Sequence, residues 1–537
     1  MTHTPTSPPL FTRQDAGLIA AYAALSVGLA WRMGQDLNWD LLNYHLYNAY
    51  MLLDGRIARD VHVAGVQSFL NPAADLPLYA AFRFGVPPRL FYSALAAFQG
   101  LALFFVHRIA VAVLPQGPPL VRFFTGVLAA VTAALGAGFL SEAGTTTHDN
   151  TLAVLVLASL WLVIEQIDEM RAPHRRAIIT AGLLAGAGAG MKLALGPIGI
   201  GLFAAVCMLP GNVRARLTHV ISFGAAAGIG GLLTSGYWMW AMYEHFQSPL
   251  FPFYNEIFNS PFAPPQNFAD ARFLPRSAYQ ALFYPFYWVA DQSLVTEPVF
   301  RDARFAAGFL ALAALALHRV LELVGCDSPD RSIRSRRLLA VAVFWVVSYT
   351  VWLRIFSIYR YVVALEVLTA VLIIGVAARL APRWTRHLAL TLPVCVALSM
   401  GNRLPDWGRT PWSDSYFGVD TRALEPYADA TLLMWDFPQG YLAPHFPRSA
   451  TFLRLLSNWG LTGETALWDR VVRTVKNTPT ERLFLLDLDL GSAPELQDAA
   501  LQQLGLEHSD VPCQTYPSYH VRFRLCALRR TSTPSAP

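Results

Sequence analysis

Charge is what this 537-residue chain has least of: Asp, Glu, Lys and Arg together make up 14% of it, where soluble proteins carry about 25%. That shortage excludes an ordinary cytosolic enzyme. Cysteine is scarce too, and five in the whole chain exclude a disulfide scaffold. No spacing of His and Cys suggests zinc. The net charge of +5 is spread without a basic stripe, which argues against nucleic acid as a partner. Lysine is nearly missing: of 41 basic residues only Lys192 and Lys476 are lysines. There is no internal repeat and no low-complexity tract. The first apolar run, 16–33, has no small-residue cleavage site clearly placed after it, so it is expected to stay as a membrane helix.

What abounds is apolar sequence, 54% of the chain, gathered into runs near the ~20 residues that cross a bilayer as a helix. About eleven windows are expected to span: 16–33, 90–114, 121–140, 151–167, 176–191, 193–209, 217–242, 304–323, 338–353, 361–378 and 386–400. The fifth and sixth are short and glycine-rich and meet at Met191-Lys192, as two abbreviated helices or one broken pair. Arginine marks alternate connections: Arg122; Arg171, Arg175 and Arg176; Arg214 and Arg216; Arg331, Arg334, Arg336 and Arg337; Arg383 and Arg386. Such loops face the cytoplasm, which puts the N-terminus inside and the loops 34–89, 141–150 and 243–303 outside.

With an odd number of spans, residues 401–537 lie outside as a second unit beside the membrane module 1–400. Apolar runs there shrink to strand length at 430–434, 482–486 and 521–526, between helix-patterned stretches at 463–476 and 494–504. The expected fold class is therefore an α-helical polytopic membrane protein with a small C-terminal extracytoplasmic α/β domain. Cys513 and Cys526 fall in that domain, where an oxidising compartment permits a disulfide; two unpaired thiols are the alternative.

The loop after the first span reads Gln35-Asp36-Leu37-Asn38-Trp39-Asp40-Leu41-Leu42-Asn43-Tyr44-His45, continuing through Asn48, Met51 and Leu52 to Gly55. Asp40 is placed to cap a helix, with Tyr44, Asn48, Met51 and Leu52 on one face. An amphipathic helix in the interface accounts for that face but not for two carboxylates where the chain leaves the membrane. An aspartate, a tyrosine four on, a small or polar residue four further, then Met-Leu and a glycine: this pattern resembles the first outer loop of the GT-C superfamily. These are integral-membrane glycosyltransferases that use polyprenyl-phosphate-linked sugars. Many members read Asp-Glu here; this chain has Leu41 after Asp40, and Asp36 stands one turn earlier. Asp149 at the outer start of the fourth span, Gly188-Ala189-Gly190-Met191-Lys192 between two spans, and Tyr359-Arg360-Tyr361 before the tenth resemble the same superfamily in order and sidedness.

The resemblance implies transfer of a sugar from a polyprenyl-phosphate donor to a glycan, lipid or protein acceptor at the outer face of a bacterial inner or plasma membrane. It assigns Asp40 as base, with Asp149 or Asp36 orienting the acceptor or sugar hydroxyls. Lys192 and Arg360 are expected to bind the leaving phosphate. Lys192 snorkelling to headgroups is the competing account. His45, Tyr44, Tyr361, His148 and Glu142 are further substrate contacts. Glu256, in the aromatic and proline-rich stretch 244–256 of the third outer loop, is a candidate acceptor contact on a lid. The resemblance assigns no cofactor, some members of the superfamily using a metal and others not; Asp36, Asp40, Glu142 and Asp149 would suit a divalent cation such as Mg or Mn if they converge. The competing classes are a lipid or sugar transporter or flippase, which would place polar groups at mid-membrane on broken helices, and a non-catalytic scaffold.

Overall fold

The computed structural model describes residues 12–115, 117–168, 171–324, 332–381, 383–456, 465–490 and 494–531. Residues 1–11, Arg331 and Gly463 of the readings above lie outside these. The apolar windows fall on helices, from Arg13–Met33 for the first to Trp384–Met400 for the last, except that 121–140 is split between Pro119–Ala134 and Ala137–Ser141. Among the described residues six are long and apolar enough to cross a membrane: Arg13–Met33, Pro88–Val113, Val213–Phe246, Arg304–Leu323, Ile333–Ile355 and Tyr359–Leu380. The chain is a multi-pass, mostly helical membrane protein with a small C-terminal sheet.

Met191-Lys192 is a true break. Arg175–Met191 ends there, Lys192 is extended, and Gly196–Val206 follows a single 3₁₀ turn. Lipid tails supply no hydrophobic drive between helices, so close backbone packing of small residues does the work. Arg175–Met191 lies against Val213–Phe246 along a glycine stripe, where a Cβ on Gly186 would sit 1.9 Å from the Ala227 carbonyl oxygen and one on Gly230 2.3 Å from that of Leu183.

The juxtamembrane loop begins with a short strand, Gln35–Asp36, paired antiparallel with Arg409–Thr410 from beyond the last helix. The helix that follows differs from expectation in one respect. Asn38, not Asp40, caps it: the Leu41 N–H donates to Asn38 Oδ1 at 2.8 Å, while Asp40 has helical backbone angles and no capping bond. Its carboxylate is thereby left for other partners. Leu41–His45 is a π-turn, a widening that recurs at functional sites, and Leu46–Leu53 continues as α-helix.

In the C-terminal region the strands Thr451–Arg454, Thr431–Met434 and Leu483–Leu488 lie side by side in parallel. Phe523–Arg530 joins antiparallel, with Leu506–His508 and Gln514–Tyr516 on it. Helices Ala466–Asn477 and Pro494–Gln503 fall on the expected stretches, and Cys513 is disulfide-bonded to Cys526. This sheet shares one apolar core with the loop 34–89, Leu41, Leu46 and Val63 packing with Leu432, Leu453 and Leu485. Trp39 stacks on Phe437, and a Cβ on Gly440 would lie 1.9 Å from the Asn43 carbonyl oxygen.

Candidate active site

At one end of the bundle, four segments bring their charged groups together. Asp40, on the first juxtamembrane helix, pairs with the Arg360 guanidinium, which the 3₁₀ turn Tyr359–Val362 presents. Burial opposes ionisation of Asp40, yet Arg360, with His45 and Lys192 near, holds its carboxyl below the ordinary aspartate value. Asp149 opens the helix Asp149–Glu165. It receives Lys192 Nζ at 2.6 Å, and the same ammonium donates to the Thr147 carbonyl at 3.0 Å. Lys192 is thus turned onto a carboxylate rather than outward to headgroups. The two cations share one aromatic face: Lys192 Nζ lies 5.0 Å and Arg360 Cζ 5.4 Å from the Tyr361 ring centre. Trp407 backs the guanidinium at 5.8 Å.

A second cluster adjoins the first. His148 donates from Nε2 to Asp75 Oδ1 at 2.6 Å, and His45 Nδ1 lies 2.7 Å from the same oxygen. The two imidazoles meet edge to face at 5.0 Å, with the Tyr44 ring 4.2 Å from that of His45. Burial resists ionisation of Asp75, but the two histidines hold its carboxyl below the ordinary range. His148 has φ +66°, a region costly for a non-glycine residue. That twist aims His148 at Asp75 while the next residue faces Lys192.

Glu142 is wholly buried beside these groups and, among the described residues, accepts only from Thr147 Oγ1, at 3.0 Å. Burial, then the charge of Asp149, pushes its carboxyl well above the ordinary glutamate value despite Lys192 and Arg360. The folded protein therefore holds a proton here that the unfolded chain releases above about pH 4.5, so this group makes stability fall as pH rises. Glu142→Gln should flatten that dependence between pH 5 and 8 with little loss of stability at pH 7; melting temperatures across the range check it.

Asp36 is fully engaged. Oδ2 accepts from Thr146 N–H and Oγ1, both at 2.8 Å, and Oδ1 from Asn38 N–H at 3.1 Å and Nδ2 at 2.8 Å. Its evident work is to fasten the loop carrying Glu142 and Asp149 to the helix carrying Asp40. Glu256 is exposed on Asn255–Phe258, and the structure does not bring it to this cluster. Among the described residues Asp36, Asp40, Glu142 and Asp149 do not bring their oxygens close enough together to form a cage for Mg or Mn. Among the described residues the group with metal-ligand geometry is His45, Asp75 and His148, and its two nitrogens and one oxygen suit zinc better than magnesium.

Sequence reasoning missed three contributors. Asp75 was signalled only as an acid at the start of Leu76–Arg83, and Trp407 not at all. Glu366 stood in plain view as an acid inside an apolar window, a warning in itself. Its carboxylate accepts from Gly138 N–H, Phe139 N–H and Tyr359 O–H at 2.9, 2.9 and 3.0 Å. A Cβ on Gly138 would lie 2.8 Å from Glu366 Oε2, so the glycine makes this cradle possible. Glu366 thereby ties the segment leading into Glu142 to the turn that carries Arg360.

Fold and site together define a polytopic membrane protein with paired carboxylates and cations at one end of its helices. No family model matches the chain, and no curated protein matches it. Among solved structures it is similar to ArnT from Cupriavidus metallidurans bound to undecaprenyl phosphate, at 12% identity over 98% of this chain and 100% of that one, with a TM-score of 0.47. The apo state of the same protein gives 11% identity, 96% and 98% coverage, and a TM-score of 0.40.

Proposed function

We propose that the chain is a GT-C-type glycosyltransferase that moves a sugar from a polyprenyl phosphate to an acceptor hydroxyl on the extracytoplasmic face. The observation that carries this reading is the pair of ion pairs around Tyr361, Asp40 with Arg360 and Lys192 with Asp149. Each cation is held by a carboxylate that a phosphate can replace. A donor phosphate between Lys192 and Arg360 would take both cations and free Asp40, already ionised, to accept the acceptor's proton. The acceptor oxygen then bonds to the anomeric carbon as the bond from that carbon to the phosphate oxygen breaks, and the polyprenyl phosphate departs on the two cations. Direct displacement inverts the centre, so a β-phosphate donor gives an α-linkage. Asp149 orients hydroxyls once Lys192 turns to phosphate. The arginine-bearing connections support a cytoplasmic N-terminus and an extracytoplasmic C-terminal domain in a bacterial inner membrane.

A transfer assay of purified protein against a panel of polyprenyl-phosphate sugars, with mass spectrometry of products, tests the reading; no product from any donor would defeat it. Lys192→Ala should raise the donor KM about ten- to a hundredfold, the worth of one charge-assisted hydrogen bond, with a smaller change in kcat. An unchanged KM would remove Lys192 from phosphate binding.

A further inference from the structure

Away from the candidate active site, a cavity of about 590 Å³ opens between the juxtamembrane loop and the C-terminal region, lined by Leu53, Asp54, Gly55, Arg56, Arg59, Arg83 and Arg448. Four guanidiniums share this one lining. Two of them build the walls. Arg56 is buried and forks onto Asp60, with 2.7 Å from both Nε and Nη2, and it donates to the Arg448 carbonyl at 2.9 Å. Arg59 donates to the carbonyls of Arg448 and Ser449 and to Thr451 Oγ1.

The other two are largely open to solvent and both reach for Asp54. Arg448, 67% exposed, is 2.6 Å from Asp54 Oδ1, and Arg83, 44% exposed, is 3.6 Å from Oδ2. Tyr79 O–H also donates to that carboxylate, at 2.5 Å. Asp60 neutralises Arg56, and one carboxylate shared between Arg83 and Arg448 leaves the cavity with uncompensated positive charge. Guanidiniums so placed recognise the oxygens of a phosphate by paired hydrogen bonds.

The position in the fold selects among phosphates. Arg83 ends the helix Leu76–Arg83, and the membrane-crossing helix Pro88–Val113 starts five residues later. Phe84, Leu53 and Leu90 are 80%, 52% and 62% exposed, apolar side chains near the start of that helix in sequence or in the cavity lining. We propose that this cavity binds the phosphate of a membrane lipid headgroup, with the acyl chains lying along Phe84 and Leu90. The lipid clamps the membrane module, through Arg83, to the C-terminal sheet region, through Arg448. It is not the reacting partner: the helical stretch from Asp40 to Asp54 puts the cavity about 20 Å from the candidate base at 1.5 Å per residue. The inference does not depend on the proposed activity.

Calorimetric titration of the purified full-length protein in a neutral detergent tests it, with dihexanoyl phosphatidic acid, dihexanoyl phosphatidylcholine and inorganic phosphate as probes. Phosphatidic acid should bind, and the double variant Arg83→Ala/Arg448→Ala should weaken it at least tenfold with an unchanged melting temperature. Asp54→Asn, which removes the competing charge and keeps an acceptor for Tyr79, should tighten it several-fold. Inorganic phosphate binding as tightly as the lipid, and lost in the double variant, would keep the phosphate site and overturn its lipid source. Equal binding of phosphatidylcholine, or an affinity the double variant leaves unchanged, overturns the proposal. If the double variant does not fold, Asp54→Asn decides: no gain in affinity overturns it.

Discussion

Asp40→Asn is expected to lower kcat for sugar transfer by about 10²- to 10⁴-fold, the usual worth of a general base, while donor KM moves little. The asparagine keeps the size of the side chain and can still accept from Arg360, so the turn at Leu41–His45 should survive. What disappears is a site for the acceptor's proton. Because Arg360 holds the Asp40 carboxyl below the ordinary aspartate range, wild-type activity should not require raising the pH to ionise it. Activity should instead fall on the acid side, as pH drops through the depressed pKa. Transfer by the asparagine variant at the wild-type rate, in a protein with an unchanged melting temperature, would remove Asp40 from the mechanism.

Arg360→Ala should act more broadly. Asp40 is buried to 8% exposure, and removing its guanidinium leaves a carboxylate without its main counter-charge, a change that typically costs about 3–5 kcal/mol. Stability should drop accordingly, and the Asp40 carboxyl should shift upward as burial goes unopposed. Donor KM should rise as well, because one of the two cations for the phosphate is gone. The double variant Asp40→Ala/Arg360→Ala separates these effects: it should recover much of the lost stability and none of the activity. Arg360→Lys keeps a charge but loses the planar fork over Tyr361 and Trp407, so an intermediate KM is expected. A melting temperature that Arg360→Ala leaves unmoved would mean that the ion pair with Asp40 contributes nothing to the fold.

The helices were legible because apolar runs are local: a window such as 304–323 needs no partner to be recognised, and it became Arg304–Leu323. The same locality explains the strands and helices of the C-terminal region. Asp40, Asp149, Lys192 and Arg360 were named from a resemblance in order and spacing, and the structure brings all four together. Their pairing was not legible, since Asp40 and Arg360 are 320 positions apart. Capping was misread at Asp40 because Asn38, two residues earlier, is an equally good cap and nothing local chooses between them. Asp36 is expected from the resemblance to orient hydroxyls; the four donors that hold its carboxylate, two of them from Thr146, were not legible in the sequence. Asp75 stayed hidden because its two histidine neighbours come from segments on either side of it, 103 positions apart by their numbers.

The strand Gln35–Asp36 finds its partner in Arg409–Thr410, and the loop behind it packs on the sheet. At roughly 5–20 residues per second of synthesis, the first loop waits tens of seconds for the chain that completes it. Until then Leu41, Leu46 and Val63 lack the sheet that covers them. The site is therefore finished only at the close of biogenesis, and a nascent chain halted after Met400 would display an opened, unsealed loop to the quality-control proteases of its compartment.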